Sequence, residues 1–169
     1  MSSTVLVLGT DHRFQQRSAE FTEPQHQAFA AFVLATAKQA GVAGLAEENS
    51  VAALAEAGVT QSTVELIAHE LGLWHRYCDP DMKTRAKLGM LQENEIRISA
   101  FPEKLTEEEV QRRLVGSMRD REAYWLSELA EFNTWPVLFV CGAEHSLPFL
   151  DLLKGRGINA VFVAEDWGA

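Results

Sequence analysis

The stretch Pro136-Val137-Leu138-Phe139-Val140-Cys141 decides the fold. It is a short, unbroken apolar run that stops at Gly142. Such a run reads as a strand covered on both faces, which is the habit of parallel sheets packed between helices. Working outward, Val5-Leu6-Val7-Leu8, ending at Gly9, is a second run of this kind. Val42 to Ala46, Leu73 to Cys78 and Ile158 to Ala164 read as three further strands.

Helical signals separate these runs. Thr22, with Gln25 in capping-box spacing, opens a helix with Phe29, Phe32, Val33 and Ala37 at helical period, and Gly41 ends it. Ser50 to Ala57 is a small helix, and Ser62 with Glu65 caps another that runs to about Leu71. Asp79-Pro80 combines an N-cap residue with a first-turn proline, so a helix is predicted from Asp81 to about Leu91. Thr106 with Glu109 opens the longest helix, which ends near Phe132. Pro148 to Lys154 is a short helix, Asp11 to Phe21 reads as a loop, and Glu93 to Pro102 shows no clear period. The alternation predicts one α/β domain over residues 1–169. It should have three layers: a mostly parallel sheet of about five strands, with helices on both faces.

Composition narrows the partners. The net charge of -9, without a Lys/Arg-rich run, argues against nucleic acid. No apolar run is long enough to span a membrane. The N-terminus goes straight into a strand with no secretory pattern, so a cytoplasmic location is expected. Cys78 and Cys141 have no paired spacing and are expected to be reduced, buried thiols.

In open parallel sheets, ligands bind beyond the carboxyl ends of the strands. The residues that follow each strand are therefore the candidate site. They are Asp11 and His12, then Glu47, Glu48 and Asn49, then Asp79 and Asp81, then Glu144 and His145, then Glu165, Asp166 and Trp167. Each has a plain alternative, since loops are polar and acidic residues favour helix starts. The two histidines stand out because they share one local frame, Gly9-Thr10-Asp11-His12 and Gly142-Ala143-Glu144-His145. Gly lets the chain turn sharply off a strand, and a neutral imidazole beyond it can bind a metal or move a proton near pH 7. In the long helix, Arg119-Asp120-Arg121-Glu122 is either a solvated charge run or the source of an arginine that faces an anion. Two decoys fail. His69-Glu70-Leu71-Gly72-Leu73 lacks the second histidine of a zinc-protease helix, and Gly155-Arg156-Gly157 lies between a helix and a strand rather than after one.

These frames, an acidic strand end between them and an Arg-rich helix before the second resemble the TraB/Tiki, erythromycin-esterase and ChaN-like superfamily. The matching residues are Gly9 and His12, Glu47 or Glu48, Arg119 or Arg121, and Gly142 and His145. Arg121-Glu122-Ala123-Tyr124-Trp125 is similar to that superfamily's Arg-polar-x-x-Met/Trp pattern. The superfamily contains metal-dependent proteases, an esterase and a haem-binding protein, so the resemblance implies a site more than a reaction. This chain is shorter than typical members.

The expectation is a hydrolase acting on a small ester, amide or short peptide. His12, His145, Glu47 or Glu48, and Arg121 or Arg119 would carry the catalysis. Gly9, Asp11, Gly142, Glu144, Asp79 and Asp81 would contact substrate. A divalent metal (manganese, cobalt or zinc) on His12, His145 and Glu48 is compatible but not required. The alternative is a non-catalytic domain that binds a small ligand or another protein, and a homo-oligomer is left open.

Overall fold

The apolar runs pair into a single sheet in the order β3-β2-β4-β1-β5, with every neighbouring pair parallel. The computed structural model describes residues 3–169. The strands are β1 (Thr4–Thr10), β2 (Gly44–Glu47), β3 (Trp74–Tyr77), β4 (Val137–Gly142) and β5 (Asn159–Trp167). The helices are α1 (His12–Gln15), α2 (Glu23–Ala40), α3 (Val51–Glu56), α4 (Thr63–Leu71), α5 (Met82–Leu88), α6 (Glu93–Glu103), α7 (Glu107–Phe132) and α8 (Ala143–Gly155).

Successive strand side chains point to opposite faces, and two separate cores result. Leu6, Leu8, Leu45, Leu138 and Val140 pack with α2 and α4 on one side. Val5, Val7, Ala46, Phe139 and Cys141 pack with Trp125 and Leu129 of α7 and Phe149 and Leu153 of α8 on the other. Phe29, Phe139 and Phe149 are wholly buried, each contributing about 1.5–3 kcal/mol by leaving water. The fold is the expected three-layer α/β arrangement, and both thiols are free and buried.

The topology creates one opening. After β1 the chain returns over the α2 face to β2, on one side of the sheet. After β4 it returns over the α8 face to β5, on the other side. Strands β1 and β4 are direct neighbours, with Thr10 opposite Gly142. Connections that leave adjacent strands in opposite directions open a crevice at their carboxyl ends. Both Gly-x-x-His frames end there.

Several boundaries differ from the sequence reading. Asp11 caps a single helical turn inside the stretch read as a loop. The helix after β3 begins at Met82 and is capped by Asp81, whose carboxylate accepts the Thr84 N–H at 2.7 Å. Asp79 is drawn elsewhere, to an arginine. The aperiodic stretch is helix α6, opened by a Gln92–Glu95 capping box, with Pro102 in its last turn. Helix α8 starts at Ala143, five residues before Pro148, which forfeits one backbone hydrogen bond inside it. His145 therefore sits in the first turn of a helix rather than on a loop. Glu165 and Asp166 are ordered within β5. No helix among the described residues is long and apolar enough to cross a membrane.

Candidate active site at the ends of β1, β2 and β4

Leu45 and Ala46 alternate between the two cores, and the alternation continues into Glu47 and Glu48. Glu47 points to the α2 and α4 side, and Glu48 to the α7 and α8 side. The Glu48 N–H donates to Val140 C=O at 2.8 Å, which extends the β2–β4 pairing one step and locks the carboxylate beneath β4.

Glu48 is the centre of the site, at 3% exposure. Its Oε2 accepts the Gly142 N–H at 2.8 Å and lies 3.4 Å from His12 Nε2. Its Oε1 accepts a close hydrogen bond from the Arg121 guanidinium and lies 3.6 Å from His145 Nε2. The two imidazoles thus meet one buried carboxylate, one on each oxygen. His145 is itself buried, and its Nδ1 lies 2.8 Å from Glu122 Oε1. Glu122 also takes Arg119 at 2.5 Å. Arg121 donates to Asp79 at 2.9 and 3.1 Å, Trp125 Nε1–H donates to the same oxygen at 3.0 Å, and Arg85 pairs with the other. Trp125 sets the geometry from below. Arg121 lies 5.5 Å from its ring centroid, and its ring meets His145 edge-on at 4.9 Å.

The charges are mutually dependent. Burial alone would lower the His12 pKa, but the Glu48 carboxylate, with help from Gln15, raises it to about 9. Burial would likewise raise the Glu48 pKa, but His12, Arg121 and His145 hold it well below the usual carboxylate range. A raised histidine pKa stabilises the fold fully below pH 6.5 and ceases to as pH rises toward 9. A depressed carboxylate stabilises above pH 4.5 and ceases to in acid. The pair therefore contributes most between pH 4.5 and 6.5. The melting temperature is expected to fall from pH 6.5 to 9, and His12→Gln to flatten that decline relative to wild type. Thermal melts across the range check it, and parallel curves for the two proteins would contradict it.

Two glycines are needed for close approach. A Cβ on Gly9 would lie 1.8 Å from Glu165 C=O, where β5 bulges against β1, so Gly9 is a packing residue. A Cβ on Gly142 would lie 2.6 Å from His12 Nε2 and 3.3 Å from Glu48 Oε2. Gly142→Ala is expected to push the His12 ring off Glu48 by an ångström-scale displacement. Chemical shifts of the His12 ring in the variant would reveal the displacement, and unmoved shifts would count against it.

Two cavities flank the cluster. The first, of about 390 Å³, lies between α6 and α7 and reaches His145 and Arg121 past Leu114 and Met118. The second, about 370 Å³, is lined by Asp11, His12, Gly142 and Asp166. Glu144 is exposed and borders both.

Of the candidates read from sequence, the fold brings together His12, Glu48, Asp79, Arg121, Gly142 and His145. It sends Glu47 to the opposite face, where it bonds Ser62, His75 and Gln15. Arg119 reaches the cluster only through Glu122. Asp11 pairs with Arg13 at 2.6 Å, and Asp81 is a helix cap. Glu122 joins the cluster without having been a sequence candidate, although Glu122, Trp125 and Leu129 have the i, i+3, i+7 spacing of one buried face. Gln15 carries no sequence signal, because a single four-residue turn is too short to show a helical period.

His12, His145 and Glu48 fit a resident divalent metal poorly. Both Glu48 oxygens already accept hydrogen bonds, and the Arg121 cation sits on the carboxylate a metal would use. Among the described residues, no group of three or more His, Cys, Asp or Glu is disposed to hold a metal ion. No family model, curated protein or solved structure matches this chain.

Proposed function

We propose that this crevice is the active centre of a hydrolase for a small ester, amide or short peptide. The observation that carries the reading is a single buried carboxylate, Glu48, facing both imidazoles at the switch point of the sheet. The resemblance to the TraB/Tiki, erythromycin-esterase and ChaN-like superfamily belongs to the same proposal, with Glu48 and Arg121 as the matching acid and arginine.

Glu122 accepts from His145 Nδ1–H and leaves Nε2 as the basic nitrogen. His145 Nε2 takes a proton from water as the water oxygen attacks the carbonyl carbon. The Arg121 guanidinium stabilises the oxyanion that forms. As the C–O or C–N bond breaks, the His12 imidazolium gives its Nε2 proton to the departing alkoxide or amine. Glu48, with one oxygen toward each ring, then passes the proton held by His145 back to His12. Neither ring nitrogen makes a full hydrogen bond to Glu48, at 3.4 and 3.6 Å, so each retains capacity for the reacting atoms. The cavity beside His145 and Arg121 falls within the roughly 300–1,000 Å³ range of small-molecule sites.

The experiment is a hydrolysis screen of purified protein on aryl esters, amides and dipeptides, with and without added manganese, cobalt or zinc. Turnover that disappears in His145→Asn supports the reading. Turnover that requires an added metal replaces the water-activation step assigned to His145. No turnover on any class, with small ligands still bound in the His145 cavity, establishes a binding domain instead.

A further inference from the structure

A second buried polar chain reaches His12 from the opposite side of the sheet. It begins at His75, whose Nε2 meets Glu47 Oε1 at 2.9 Å. The other Glu47 oxygen accepts the Gln15 side-chain N–H at 2.9 Å. Gln15 Oε1 then meets His12 Nδ1 at 3.1 Å. Gln15 and Glu47 are both wholly buried, so water cannot substitute for these partners.

The chemistry of the groups sets the direction of every bond. A carboxylate oxygen accepts, so Glu47 selects the NH₂ end of the Gln15 amide. The amide oxygen is thereby turned to His12, and it also only accepts. The hydrogen between them must belong to the imidazole. We infer that Gln15, oriented by Glu47, is a positioning residue for His12: it keeps a hydrogen on Nδ1, so Nε2 is the nitrogen that loses and regains a proton in the crevice. Ser62 completes the support, since its hydroxyl donates to Glu47 while it caps α4. Glu47 is thus two bonds removed from His12, and its buried charge serves orientation. The effect on turnover rests on the hydrolase reading, whereas the tautomer does not.

The test uses the full chain labelled with ¹⁵N-histidine. Long-range proton–nitrogen correlation spectra are followed from neutral pH to above the His12 titration. Neutral His12 is expected mainly as the Nδ1–H form, the reverse of the preference of free histidine in water, because the Gln15 contact at 3.1 Å is a full hydrogen bond whereas Glu48 lies 3.4 Å from Nε2. In Gln15→Met, which keeps the length and removes the acceptor, the Nε2–H form is expected to emerge. On the best substrate, kcat should fall about 10- to 100-fold, by analogy with the partners that orient metal-binding histidines, with KM unchanged. If Gln15→Met does not fold, Glu47→Gln is read the same way, because its amide no longer dictates the orientation of Gln15. An Nε2–H tautomer in the wild type, or an unaltered tautomer in either folded variant, overturns the inference. The expected tautomers in a protein that hydrolyses nothing would sink the hydrolase reading and leave this one intact.

Discussion

Glu48→Ala is expected to cost about 3–5 kcal/mol of folding stability, the usual penalty for leaving a buried charge without its partner. The Arg121 side chain is only 19% exposed and would keep Asp79 alone. Gly142 N–H would lose its acceptor, and both imidazoles would lose the anion they face. Urea titration measures the change as a shift in midpoint at constant slope. Glu48→Gln separates charge from shape. Its amide oxygen still reaches the Gly142 N–H, but the negative charge that raises the His12 pKa to about 9 is gone. The His12 pKa should then drop, because burial and Arg121 both favour the neutral ring. A loss under about 1 kcal/mol in Glu48→Ala would show that the pair lies outside the buried-ion-pair regime. An unmoved His12 titration in Glu48→Gln would refute the electrostatic coupling altogether.

Under the proposed hydrolase mechanism, Glu122→Gln is expected to reduce kcat by about 10²- to 10⁴-fold, the range for a general base that loses its proper protonation state. A glutamine can turn its NH₂ toward His145 Nδ1 and so move the imidazole hydrogen to Nε2, which removes the base. Arg119 would lose its partner, but its side chain is 41% exposed, so little stability should be lost. KM should change little, since Glu122 lines neither cavity. His145→Asn should cost a similar factor, and the double variant no more than the worse single one, because the two residues act as a unit. Additive losses, or a Glu122→Gln enzyme within tenfold of wild type, would remove Glu122 from the mechanism.

Local pattern was enough to indicate the sheet edge at which these polar side chains gather. Strand runs such as Val137 to Cys141 are contiguous, and their carboxyl ends follow from chain direction alone. Both Gly-x-x-His frames could therefore be assigned to one edge of a parallel sheet. The choice within each acidic or basic pair was beyond such reading. Glu47 and Glu48 are adjacent and chemically identical, and Arg119 and Arg121 lie half a turn apart on one helix. Glu122 looked like the end of a solvated run, yet it is 1% exposed. Its burial comes from α8 packing against α7, two segments whose contact no single window of sequence records.

The order of residues was sufficient to specify the five strands, the helices with strong caps, their alternation and the edge at which polar groups gather, because hydrophobic period and capping act over a few neighbours; α1, α6 and the first turn of α8 lacked such signals. Selecting Glu48 over its neighbour, Arg121 over Arg119, and Glu122 as a partner required the packed molecule. Those outcomes depend on which helix covers which face of the sheet and on how β2 aligns with β4. Both are pairings between distant parts of the chain, and a one-residue slip of β2 against β4 would exchange the faces of Glu47 and Glu48.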